Sequence, residues 1–226
     1  MKAVCFSDTH KTPLLDKLEL PEADFGLFAG DCSFRGKEAE YRSFIDWFAD
    51  QPVTHKVFVP GNHDWYTETN LIKAMRIAEI RGVVFLSNTE VTLDGYRIYG
   101  TPIQPAFMNW AWNQPLLCKR DACFAKIPEG LDVLITHCPP YGILDETPPN
   151  VFNKGNPENV GCTALRDHVL RAKPRFHVFG HIHHSYGQTS QDGTLFVNAS
   201  ICTEKYELTN NPIIVDLDQD NSPAQC

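Results

Sequence analysis

Short apolar runs recur along the chain, and each one ends in polar side chains capable of chemistry. Residues 3–6, 25–29, 56–59, 133–136 and 176–179 are predominantly apolar over four or five positions, the length and pattern of strands buried on both faces. Asp8 and His10 follow the first run, Asp31 the second, Asn62 and His63 the third, His137 the fourth, and His181 and His183 the fifth. Ligands of α/β sheets bind beyond the carboxyl ends of strands, so the pattern predicts one convergent site.

Helical periodicity fills the gaps. Across Glu38–Ala49, Tyr41, Phe44, Ile45, Phe48 and Ala49 recur at helical spacing and leave charges on the other face. Leu71–Ile80 is a second expected helix and Thr163–Ala172 a third, with Thr163 as its N-cap and Pro174 beyond its end. The alternation breaks over residues 83–100, where 83–86, 89–93 and 96–99 are expected as strands, the last two joined by a tight Asp94-Gly95 turn. Further strands are expected near 195–198 and 213–217. Hairpins beside strand–helix units predict an α/β protein built as a four-layer α/β/β/α sandwich, two mixed β-sheets flanked by helices. One domain spanning residues 1–226 is expected.

Composition narrows this picture. A hydrophobic content of 42% is enough for one sizeable core. The net charge of −8 argues against a basic surface that tracks an extended nucleic-acid backbone, so any nucleotide partner is expected to be small. The apolar stretch before Asp8 is too short for a signal-peptide core, and no later run approaches a membrane span. A cytoplasmic location and no membrane partner are therefore expected. The eight cysteines (5, 32, 118, 123, 138, 162, 202 and 226) form no CxxC pair and read as free thiols. Cys5 and Cys202 read as small buried hydrophobes, whereas Cys32 and Cys138 each directly follow a candidate ligand.

The candidate chemistry lies in Asp8-Thr-His10, Gly30-Asp31, Gly61-Asn62-His63-Asp64, His137 and Gly180-His181-Ile-His183. Carboxylate, imidazole and amide donors together suit borderline divalent ions better than an all-oxygen calcium site. Seven candidate ligands exceed the needs of one ion and suit two ions sharing a carboxylate, about 3.5–4 Å apart. Gly30, Gly61 and Gly180 beside the ligands allow sharp turns and close backbone approach.

In this order the motifs resemble those of the calcineurin-like metallophosphoesterase superfamily, over nearly the whole chain. Ile135-Thr-His-Cys-Pro-Pro-Tyr-Gly142, His177-Val-Phe-Gly-His-Ile-His183, Asn198-Ala-Ser-Ile-Cys202 and Asn211-Pro-Ile-Ile214 are similar to the branch of metallophosphoesterase-domain-containing proteins. The resemblance implies the metallo-dependent phosphatase-like fold. It implies that Asp8, His10 and His183 hold one metal, that Asn62, His137 and His181 hold the other, and that Asp31 bridges them. It also implies a metal-dependent phosphoric ester hydrolase in which a hydroxide shared by the metals attacks phosphorus. Manganese is the favoured ion, with iron, zinc, cobalt, nickel and magnesium as alternatives.

His63 follows a ligand, and its expected role is to stabilise or protonate the leaving oxygen, with Asn62 also contacting substrate. Asp64 is expected either to orient that imidazole or to be an exposed loop carboxylate. Arg35 resembles a phosphate-contacting arginine of a GDxxDRG segment, although Phe34 replaces that segment's aspartate. His55 and His168 read as structural or solvated, His177 as a satisfied core histidine or as a hydrogen-bond partner of a ligand, and His184 as a pocket residue. Phe107, Met108, Trp110 and Trp112 crowd into residues 102–113. They are expected either as an aromatic wall, with Trp110 and Trp112 binding a nucleobase, or as a satellite core or dimer contact. The branch's association with 2′,3′-cyclic nucleotides and nucleoside monophosphates points to a phosphodiesterase of small nucleotides. Alternatives are a phosphomonoesterase or protein phosphatase, a nuclease, and a nucleotide-binding regulator with little turnover.

Overall fold

The computed structural model describes residues 1–10, 15–149 and 153–219 of the 226-residue chain. Strands β1 (Lys2–Phe6), β2 (Ala23–Ala29), β3 (Val53–Val59) and β4 (Val83–Phe85) run parallel in that order, and β13 (Ile213–Asp216) adds antiparallel to β1. The second sheet centres on β7 (Val133–Thr136) and β10 (Phe176–Phe179), parallel to each other and flanked by parallel β6 (Tyr96–Thr101) and β12 (Thr194–Asn198). Antiparallel β5 (Thr89–Leu93) and β11 (Gly187–Gln191) close its edges. A two-stranded ribbon of β8 (Glu146–Thr147) and β9 (Glu158–Asn159) lies apart.

Alternation along the strands builds three apolar layers. Ala3, Cys5, Leu27, Val57 and Val59 of the first sheet meet Val133, Ile135, Val178 and Val197 of the second in a shared core. The opposite face of the first sheet carries Phe6, Phe28 and Phe58, covered by α1 (Glu38–Ala49) through Tyr41, Phe44, Ile45 and Phe48. The same core takes in α2 (Trp65–Thr69) and α3 (Leu71–Ile80) through Tyr66, Ala74 and Ala78. On the outer face of the second sheet, Leu134, Phe179 and Phe196 pack with Phe124 of α4 (Leu117–Phe124) and Leu165 and Val169 of α5 (Thr163–Ala172). The result is the expected four-layer sandwich. Central strands of both sheets are buried on both sides, which is why they appear as unbroken apolar runs rather than alternating ones.

Local differences from the sequence reading have physical causes. Cys162, not Thr163, caps α5, its Sγ accepting from Leu165 N at 3.5 Å. Strand β3 begins three residues before its apolar run because pairing with β2 extends back to Val53. The polar edge strand β11 and helix α4 carried no strong periodic signal. Asp94 and Gly95 both adopt positive φ, 48° and 87°, at the hairpin tip. Cys5, Cys32, Cys118, Cys123, Cys138 and Cys162 are free thiols, and Cys226 lies outside the described residues. No helix of the described residues is long and apolar enough to cross a membrane.

Candidate metal centre

Carboxyl ends of strands from both sheets meet in one buried cluster. Asp8 and His10 leave β1, Asp31 leaves β2, Asn62 and His63 follow β3, His137 follows β7, and His181 and His183 follow β10. Four of these residues lie in the left-handed region: Asp8 (φ 57°), His10 (47°), Asp31 (62°) and His181 (70°). Side chains with a Cβ disfavour that region, and such strain persists where the surroundings hold it. Here the turns hold one another, since Asp8 N donates to Gly30 O, His10 N to Asp31 O, and Gly180 N to His137 O, at 2.9–3.0 Å.

Glycines make the crowding feasible. A Cβ on Gly30 would come 2.4 Å from His137 Nδ1, one on Gly61 2.3 Å from Asp31 Oδ1, and one on Gly180 2.2 Å from Asp8 Oδ2. Each glycine thus clears space for a different candidate ligand.

The donor atoms are oriented as metal ligation needs. His137 Nδ1 donates to Ala29 O and His183 Nδ1 to Thr203 O, each at 2.8 Å. A carbonyl only accepts, so both rings keep Nε2 for the cluster, the support typical of metal-bound imidazoles. Asp8 Oδ2 accepts from Ser7 Oγ, Ser200 Oγ and His181 N at 2.6–3.1 Å, while its Oδ1 lies 3.3 Å from His183 Nε2 and 3.8 Å from His10 Nε2. Asp31 Oδ1 accepts from His63 N at 2.8 Å. Its Oδ2 stands between His137 Nε2 at 3.3 Å and His10 Nε2 at 3.8 Å.

Two groups of potential ligands result, Asp8 with His10 and His183, and Asp31 with His137 and His181; Asp31 also groups with His10 and His63. Asn62 Oδ1 joins the second group, 2.9 Å from His137 Nε2. His10 and His183 bring their Nε2 atoms within 3.2 Å of each other. Carboxylates, imidazoles and an amide gathered this closely form a donor set that suits divalent cations.

The titration behaviour reflects the same crowding. Burial pulls His137 and His183 down, yet the carboxylates of Asp31 and Asp8 outweigh it and raise each to about 9. Burial depresses His10 to about 4 and His181 to about 3, leaving both imidazoles neutral at pH 7. Burial alone would raise both carboxyl groups, but His183 beside Asp8 and His137 beside Asp31 hold them below the usual range.

Asp64 does neither of the things expected of it. It is fully buried and touches backbone rather than the His63 ring, accepting from the amides of Gly61, Asp31 and Ser33 at 2.8–3.0 Å and from Ser33 Oγ at 2.7 Å. Cys32 Sγ donates to it as well, at 3.2 Å. It therefore ties the Asp31 and Asn62 turns together. His63 is fixed differently, by Nδ1 donating to Phe34 O at 2.9 Å and by the Trp110 ring stacked at 4.1 Å.

Above the cluster lies a cleft of about 450 Å³, walled by Phe107, Met108, Trp110, Tyr206, Glu204 and His184 around the metal-facing side chains. Two expected substrate contacts are not brought into it. Trp112 turns inward, is 7% exposed and donates from Nε1 to Thr67 Oγ1 at 3.1 Å, so it anchors the loop instead. Arg35 is exposed and does not line the cleft; its backbone amide is held by Glu40. Tyr206 escaped the sequence reading. It follows β12 in a non-repeating loop, with φ 59°, and its ring meets His10 edge-on at 4.6 Å. His177 is fully buried, with Nε2 2.9 Å from Thr136 Oγ1. His168 pairs with Asp121 and His55 with Asp94, each at 2.8 Å.

Residues 1–185 match the model of the calcineurin-like phosphoesterase family, and the chain belongs to that family. It is 36% identical to the metallophosphoesterase domain-containing protein 1 of both Homo sapiens and Mus musculus, over 95% of this chain and 70% of theirs. Among solved structures it is similar to the phosphopantetheinyl hydrolase of Mycobacterium tuberculosis, with a TM-score of 0.63 and 18% identity, covering 91% of this chain and 90% of that one. Membership makes a dinuclear-metal phosphoesterase the class that this site serves.

Proposed function

We propose that the protein hydrolyses phosphodiesters of small nucleotides, that manganese is its preferred ion and that it acts in the cytoplasm. The observation that carries the phosphoesterase reading is the position of Asp31 Oδ2 between His137 Nε2 and His10 Nε2, at 3.3 and 3.8 Å. Asp8, His10 and His183 would hold one cation, and Asn62, His137 and His181 the other, with Asp31 between them. Two divalent cations held there would supply Lewis acidity and would lower the pKa of water enough for it to act as a nucleophile near neutral pH.

The chain's own residues supply the rest. With Nδ1 committed to Phe34 O, His63 keeps Nε2 for the substrate, and its imidazolium form passes a proton to the leaving oxygen. Trp110 stacked on the ring restricts its rotation. Among the described residues neither arginine nor lysine lines the cleft, and Glu204 adds negative charge. A singly charged diester suits such a wall better than a doubly charged monoester, which gains most from an additional guanidinium. Phe107, Met108, Trp110 and Tyr206 offer faces to a nucleobase, whose stacking contributes about 1–3 kcal/mol.

The test is turnover of a panel of cyclic nucleotides, acyclic nucleotide diesters, phosphomonoesters and phosphopeptides by the purified protein with added Mn²⁺. Diesters should be turned over fastest, with nucleotides ahead of base-free esters. Preference for a monoester or a phosphopeptide overturns the diester reading, and tight AMP binding without turnover of anything makes the protein a sensor.

A further inference from the structure

A second cavity adjoins the metal centre. Its volume is about 330 Å³, and Phe107, Thr147, His181 and Ile182 line both it and the larger cleft. His181 belongs to the group formed with Asp31 and His137, so the two cavities meet beside one of the side chains that would surround a bound phosphoryl group. A monoester or a cyclic nucleotide carries its organic part on one side of phosphorus and fills one cavity. An acyclic diester carries two, and two cavities meeting at one metal ligand match that shape.

The second cavity has its own chemistry. Pro105, Ala106, Val160 and Ile182 give it an apolar wall, and its volume falls within the ordinary range for small-molecule pockets, about 300–1,000 Å³. Glu158 disfavours an anionic occupant. Gln104 also lines it and is 1% exposed. The Nε2 of Gln104 donates to Asn113 Oδ1 at 3.2 Å, but its buried Oε1 receives no hydrogen bond from the described residues.

We propose that this cavity binds the second alcohol substituent of an acyclic phosphodiester, an uncharged, largely apolar or aromatic group. This rests on the phosphoesterase reading and sharpens its substrate class. The first substituent occupies the aromatic cleft, the phosphoryl group lies at the cluster, and the second substituent passes beside His181.

Thymidine 5′-(4-nitrophenyl phosphate), methyl 4-nitrophenyl phosphate and 2′,3′-cyclic AMP are compared as substrates with Mn²⁺. Val160→Trp and Ala106→Trp fill the cavity from exposed positions that play no part in the metal cluster. Each should lower kcat/KM for the thymidine ester by about tenfold or more, chiefly through KM, with less than about a twofold change for the cyclic nucleotide and the methyl ester. Saturation-transfer NMR should show 4-nitrophenol binding to the wild type and not to Val160→Trp. Equal losses on all three substrates, or no loss on any, overturn the proposal even if turnover is strong. Absence of all metal-dependent ester hydrolysis by the wild type instead removes the phosphoesterase reading beneath it.

Discussion

His177 illustrates how much one buried imidazole commits the chain to a protonation state. Thr136 Oγ1 donates to Cys138 O at 2.7 Å, so it can only accept from His177 Nε2 at 2.9 Å. The ring's Nδ1 has no partner among the described residues, and Phe179 and Phe196 flank it at 5.0 and 5.7 Å. A second ring proton would have nowhere to bond, and burial lowers the folded-state pKa to about 3 from an ordinary 6.5. The unfolded chain therefore binds a proton here that the folded chain refuses. The contribution is fully present above pH 6.5 and is lost as pH falls from there towards 3, with a slope of up to about 1.4 kcal/mol per pH unit. His177→Gln keeps an N–H donor for Thr136 and removes the titration. Urea midpoints measured from pH 7 down to 4 should fall less steeply for that variant than for the wild type. Equal slopes would mean that the imidazole does not control acid sensitivity.

At the level of elements, the turns after the strands carry the site, and their spacing is set by glycines as much as by ligands. Gly180 has room for hydrogen only, because a methyl group would meet Asp8 Oδ2 and Ser7 Oγ, each at 2.2 Å. Gly180→Ala should therefore displace Asp8, lowering Tm by the equivalent of about 1–3 kcal/mol and reducing kcat further than the stability loss explains. Gly82→Ala is the contrast: φ there is +71° but nothing lies within 4 Å, so it should cost backbone strain alone and leave kcat unchanged. The side chains that cluster here were legible in the sequence because strands buried on both faces end abruptly at polar residues, and Gly30, Gly61 and Gly180 mark those ends. The walls of the cleft were not. Trp110 and Trp112 are two positions apart in a loop with no period, and only the turn at Trp112, φ 59°, sends one ring to the cleft and the other to Thr67. Tyr206 depends likewise on a left-handed residue that no pattern announces. Strand β11 was missed because its Gly-Gln-Thr-Ser-Gln sequence pairs on one side only and stays solvated.

For the whole molecule, the arrangement of ligands makes cation binding a cross-link between layers. Asp8, His10 and Asp31 extend from the first sheet, whereas His137, His181 and His183 extend from the second, and two of the groups, Asp8 with His10 and His183 and Asp31 with His137 and His181, combine residues of both. The sheets already touch at this end, where Ser7 N donates to Ala199 O at 2.9 Å and Ile201 N to Ser7 O at 3.2 Å. Cations gathered by the folded protein and not by the unfolded chain stabilise it by about 2.7 kcal/mol per site at a hundredfold excess over Kd. Chelation should therefore lower Tm, and titrating Mn²⁺ back should restore it progressively. Asp31→Asn removes the carboxylate proposed to lie between the two cations while preserving its size and its amide-accepting oxygen. Its Tm should respond to Mn²⁺ much less than the wild type's, and bound metal measured by mass spectrometry should fall below that of variants altered at one group alone, such as His183→Ala. If Asp31→Asn and the wild type gain equal stability from the ion, the cations bind elsewhere and the two sheets are not joined through this cluster.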